Sequence, residues 1–175
     1  MTAGRWHVTG IALLLTAPGH VVADPVQPVS AEAATQLRAA VNADELDVAA
    51  LAARLGDDPV LTSLTEGDTA LRLAALRTTP YLVNKELALL PLVSLARGRD
   101  PDLAPAAARR VLAIAQALAL EETSVRELPR ADLENLRRDL SSLANSSARR
   151  DVRVCAGSAA QLLSTLPVTS FVASH

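Results

Sequence analysis

The sequence predicts an all-α fold, and three observations carry that reading. Half of the 175 residues are hydrophobic but only 2 % are aromatic, so the core comes from Leu, Ala and Val, which suits close-packed helices. Apolar residues recur at steps of three and four along most of the chain, and no useful length alternates with period two. Turn formers such as Gly56-Asp57-Asp58-Pro59 and Gly98-Arg99-Asp100-Pro101 punctuate the helical runs. The length suits one ordinary domain.

The first segment places Arg5 ahead of an apolar run, Ile11 to Leu15, and then Val21-Val22-Ala23 before Asp24. This is the pattern of a cleavable signal peptide over residues 1–23, with cleavage after Ala23 and export to the periplasm or beyond the cell. Pro18, Gly19 and His20 interrupt the apolar run, which falls short of the ~20 residues that span a bilayer, so no stable membrane insertion is expected once the leader is removed. Trp6, His7 and His20 leave with it, and His175 is then the one histidine of the mature chain. Cys155 is the single cysteine, so no intrachain disulfide forms and stability comes from packing.

Residues 24–30, with Pro25 and Pro28, read as an extended linker, and residues 31–166 as the helical domain. Ser30 is placed to cap a helix whose stripe is Ala34, Leu37 and Val41. A second stripe, Leu46, Ala49, Ala50 and Ala53, follows Asn42-Ala43-Asp44 and completes a hairpin that ends at Leu55. Gly56 suits a C-cap and Pro59 a first helical position, opening a short run from Val60 to Leu64. After Glu66-Gly67-Asp68 come helices over Thr69–Thr78, Asn84–Arg97 and Leu103–Leu120, then Arg130–Leu143 and Arg150–Leu166 around Ala-Asn-Ser-Ser-Ala. Residues 167–175 form a flexible tail.

Three segments share one frame, an aliphatic residue followed by small residues three and four positions on. Leu71 leads to Ala74 and Ala75, Leu103 to Ala106 and Ala107, and Val152 to Cys155 and Ala156. Small residues on one helix face let a neighbouring helix approach closely. In the central copy, Pro91 lies inside the first helix, Arg99-Asp100-Pro101-Asp102 forms the turn, and the second helix opens with Leu103 and the two alanines. This unit, Leu89 to Leu112, resembles a HEAT repeat, and the resemblance extends more weakly over Asp57 to Leu166. The family usually has an arginine after the aliphatic residue; Arg72 and Arg153 keep it, whereas Ala104 replaces it in the central copy. The resemblance implies a short α-solenoid of antiparallel helix pairs that acts as a protein-binding scaffold, with the Ala31 to Leu55 hairpin as its N-terminal cap. At this size the alternative architecture is a compact irregular helical bundle.

The chemistry-bearing residues are few. Cys155 takes a position where the other copies have alanine, so it reads as a small buried apolar residue. His175 has no histidine or cysteine partner for a metal, and no cofactor is expected. Asp44-Glu45, Asp57-Asp58 and Glu121-Glu122 fall at turns or helix starts, where carboxylates cap helices. No phosphate-binding glycine loop or nucleophile motif occurs, so the expectation is a protein that is not an enzyme. The net charge of −2 gives no electrostatic footprint for nucleic acid.

Basic charge is carried by arginine, with Lys85 the single lysine. Arg72, Arg109, Arg110 and Arg153, on the second helices of the pairs, are the candidates for contact with a protein partner, because a guanidinium pairs bidentately with a carboxylate. The competing use is intramolecular pairing, as between Glu134 and Arg138. Two other functions remain open at this point: a self-associating structural protein of the cell envelope, and a solenoid enzyme without a recognisable motif.

Overall fold

Capping side chains decide where four of the described helices start. A computed structural model describes residues 29–120 and 128–166; the predicted leader, most of the linker, Glu121-Glu122 and the tail with His175 lie outside them. The Ser30 hydroxyl accepts from the Ala33 N–H at 3.2 Å and opens α1, Ala31–Ala39. The Asp44 carboxylate accepts from the Asp47 N–H at 2.9 Å and opens α2, Glu45–Leu55. Gly56, at φ 75°, is the joint to α3, Asp57–Glu66, a backbone conformation that glycine adopts without strain.

The run expected over Val60–Leu64 is therefore a longer helix, and Pro59 is its third residue, where the missing N–H has no intrahelical partner in any case. Asp57 holds the start in place, because its carboxylate accepts from the backbone N–H groups of Val83 at 3.0 Å and Asn84 at 2.9 Å.

Asp68 opens α4, Thr69–Thr78, by accepting from the Leu71 N–H at 2.7 Å. Two 3₁₀ turns follow, Thr79–Tyr81 and Lys85–Ala88, before α5, Leu89–Arg97. The helix expected to run continuously from Asn84 to Arg97 with a bend at Pro91 is thus divided. Pro91 has no N–H to offer the Leu87 carbonyl, so the α-helical pattern begins only at Leu89 and the proline sits in its first turn.

Leu103–Leu120 is α6, with Pro105 third in the helix, where its missing N–H has no intrahelical partner. The side chain that caps it is Asp100, whose carboxylate accepts from the N–H groups of Asp102 and Leu103, both at 2.9 Å. The last two helices are α7, Arg130–Ser146, and α8, Arg150–Thr165. α7 outruns its expected end at Leu143 because the Ser147 N–H still closes on the Leu143 carbonyl.

Among the described residues every regular element is helical. α3 packs on α4, α5 on α6 and α7 on α8; across these pairs α3 touches α5, α5 touches α7, α4 touches α6 and α6 touches α8. α1 and α2 close the α3–α4 end. α6 is apolar and long enough to cross a membrane by length and composition, and here it buries Leu103, Ala107, Val111, Ile114 and Leu118 between its neighbours. Four alanines of the small-residue frame, Ala74, Ala75, Ala107 and Ala156, are buried, as close helix approach requires. Ala106 and Cys155 are half-buried, so Cys155 is more open than the buried apolar residue its place in the frame suggests.

Candidate functional site

Five arginines, Arg72, Arg77, Arg137, Arg149 and Arg153, donate to backbone carbonyls, and two that do not, Arg109 and Arg110, mark the candidate site. The last carbonyls of a helix have no intrahelical donor and carry the negative end of its dipole, so a guanidinium fork satisfies them efficiently. Arg77 on α4 donates to the carbonyls of Ala40 at 2.8 Å, Ala43 at 3.0 Å and Val41, all around the end of α1. Arg137 on α7 donates to the Leu163 carbonyl in the last turn of α8.

Two of the four sequence candidates belong to this class. Arg72 donates to the Thr65 carbonyl at 2.7 Å, and Arg153 to those of Ser147 at 2.7 Å and Ala148 at 3.2 Å. Each reaches back over the turn that precedes its own helix. Ala104 cannot, and the central turn is held from the next unit, where Arg149 donates to the carbonyls of Arg99 at 3.3 Å, Asp100 at 3.2 Å and Pro101 at 3.0 Å.

The other two candidates come together. Arg109 and Arg110 line a groove between α4 and α6 with a volume of about 560 Å³. Its apolar lining is Leu73 and Leu76 of α4, Ala106 and Ala113 of α6, and Val41 from the turn after α1. Arg77 supplies a third guanidinium, so the groove holds three cationic side chains and no carboxylate. Arg109 is largely exposed and stands 4.0 Å from Asp151, a loose surface pair. Arg110 is half-buried and makes no hydrogen bond or ion pair among the described residues. Burial pulls its pKa down, with Arg77 and Arg109 adding repulsion and Tyr81 and Glu45 opposing it. A guanidinium stays charged at neutral pH regardless, so Arg110 is a partly desolvated cation with no carboxylate in direct contact among the described residues.

Several carboxylates are occupied structurally. Asp68 and Asp100 cap helices and have lowered pKa values, chiefly because the N–H groups of Leu71 and Leu103 bind their charged forms. The ion pair expected at Glu134 forms with Arg130, at 3.0 Å, and not with Arg138. Burial raises the Cys155 thiol pKa, Arg109 nearby lowers it and Asp151 raises it again, so the thiol lacks the electropositive setting of a reactive cysteine. Among the described residues no three His, Cys, Asp or Glu side chains group as metal ligands.

Arg77 escaped the sequence reading. Its position on the Leu73 face of α4 was legible, but its carbonyl partners lie 34 to 37 residues upstream, where only the fold brings them near. Two further hollows have a more evenly mixed lining: one of about 400 Å³ beside Arg72, whose Nε is buried without a partner, and one of about 520 Å³ between the turns after α5 and α7. The chain matches no protein-family model, no curated protein and no solved structure.

Proposed function

We propose that this chain is an exported, non-catalytic scaffold, built as a short HEAT-like α-solenoid, that binds another protein through the row of second helices α4, α6 and α8. The packing of α3 on α5 on α7 and of α4 on α6 on α8 supports the solenoid arrangement, because stacked pairs contact only their neighbours. The observation that carries the binding reading is the α4–α6 groove, where an apolar floor is rimmed by guanidinium groups and no carboxylate lines it. Exposed arginines around an apolar centre are the composition of a protein-binding patch.

Arg109 and Arg110 are the proposed contacts. Arg72 and Arg153 act through the turns they hold, since their donors already have carbonyl partners. Affinity capture from the cell-envelope fraction with the full chain and with an Arg109→Glu/Arg110→Glu variant tests this. A partner retained by the native chain and lost by a variant of unchanged helicity supports the reading; equal recovery by both rejects the groove.

A further inference from the structure

We infer that the occupant of the α4–α6 groove is an acidic, apolar helix of a partner protein, with Arg110 as the group that reads its carboxylate. This rests on the protein-binding reading above and narrows it to one chemistry. Ala106, Arg109, Arg110 and Ala113 are spaced at i, i+3, i+4 and i+7, so one face of α6 forms one wall of the groove. Leu73, Leu76 and Arg77 repeat the spacing on α4. The seam between them runs for two helical turns, about 10 Å, which matches a helix laid along it.

Shape and charge then select the occupant. Ala106 and Ala113 are short, so a second helix can approach the α6 backbone closely, and Leu73 and Leu76 offer it an apolar floor. Three guanidinium groups without a lining carboxylate repel a basic segment. They are not equivalent. Arg77 is committed to the carbonyls after α1, and Arg109 shares its field with Asp151. Arg110 alone is half-buried and unpaired among the described residues, so a carboxylate arriving with an apolar face meets a cation whose desolvation is already partly complete. A nucleic acid would satisfy the charges but leave the leucine floor without a partner, and the chain's net charge of −2 works against it.

Fluorescence anisotropy with labelled helical peptides of roughly 14 residues, four turns, tests the inference on the full chain. One peptide carries leucines on one face flanked by glutamates, the second has lysines for the glutamates, and the third has serines for the leucines. The first is expected to bind, the other two about tenfold or more weakly. Arg110→Met should weaken the first by about tenfold while its thermal midpoint stays at or above that of the native chain, and Arg130→Met should change nothing. Equal binding of the lysine peptide, no effect of Arg110→Met, or equally tight binding of a single-stranded oligonucleotide would overturn the inference. A basic partner segment cross-linked along the second helices would leave the protein-binding reading standing and sink the acidic occupant alone.

Discussion

The turn edge and the α4–α6 groove are both rich in arginine, and they use it oppositely. At the turns after α3 and α7, Arg72 and Arg153 stand at matching positions and donate to the carbonyls just behind them. At the turn after α5 the matching residue is Ala104, and Arg149 of the following unit bonds three carbonyls in its place. In the groove, Arg109 and Arg110 have no such carbonyls to bond. What decides an arginine's role is therefore the local supply of orphan carbonyls and not the residue type. The comparison also separates two kinds of turn: two are closed from within their own helix pair, and the central one is closed from its neighbour.

The largest way to break the comparison is Arg149→Ala. Losing a charged donor shared by three carbonyls should lower unfolding free energy by about 2 kcal/mol in urea titrations. Ala104→Arg in that background should restore part of the loss, by giving the central turn the internal donor its two counterparts have. A double variant no more stable than Arg149→Ala would refute the equivalence of the three turns.

Glycine sharpens the same contrast between turn and helix face. A Cβ on Gly67, at the turn after α3, would overlap the Ser63 carbonyl oxygen, so Gly67→Ala should cost about 1–2 kcal/mol. On α8 a Cβ at Gly157 would meet the Ala144 Cβ at 3.6 Å, an ordinary contact. Gly157→Ala should stabilise by about 0.5–1 kcal/mol through helix propensity, read as a raised Tm.

Acid tests the turn caps more gently. Asp68 and Asp100 have pKa values depressed below the ordinary 3.8, so each contributes stability above that value and loses it as pH falls through the lower, folded-state pKa. Thermal midpoints should therefore drop below about pH 4, and Asp100→Asn should flatten the fall. An identical acid limb in the variant would show that Asp100 does not contribute.

How much of this could be read from the chain depends on the range of the interaction. The Thr69–Thr78 and Leu103–Leu120 helices were legible because their caps and apolar periods are local, and Ser30 and Asp44 cap as their positions suggest. Pro91 misled because a proline in the first turn of a helix looks the same in sequence as one inside it, whereas Pro59 falls in a first turn as expected but two residues further in. The groove was half legible. Arg109-Arg110 on an alanine-rich helix could be picked out, whereas Arg77, the fork of Arg149 and the grip of Asp57 on Val83 and Asn84 depend on partners 26 to 50 residues away.

The smallest expected effect on stability is the most informative about the groove. Arg110 is half-buried and has no hydrogen bond or ion pair among the described residues, with Glu45 and Tyr81 acting on it only at longer range, so folding gains little from the guanidinium and bears part of its desolvation cost. Arg110→Met keeps the length and apolar stem of the side chain and removes that cost. Its Tm should match or exceed the native value by the equivalent of a few tenths of a kcal/mol, measured by circular dichroism. Arg153→Met, the same exchange at the turn edge, should lower Tm, because the carbonyls of Ser147 and Ala148 then lose their donor. Opposite signs for one substitution at two arginines would separate a residue kept for folding from one kept for something that arrives later. Equal losses at both would mean that Arg110 is structural too, and the groove would lose its claim to a partner.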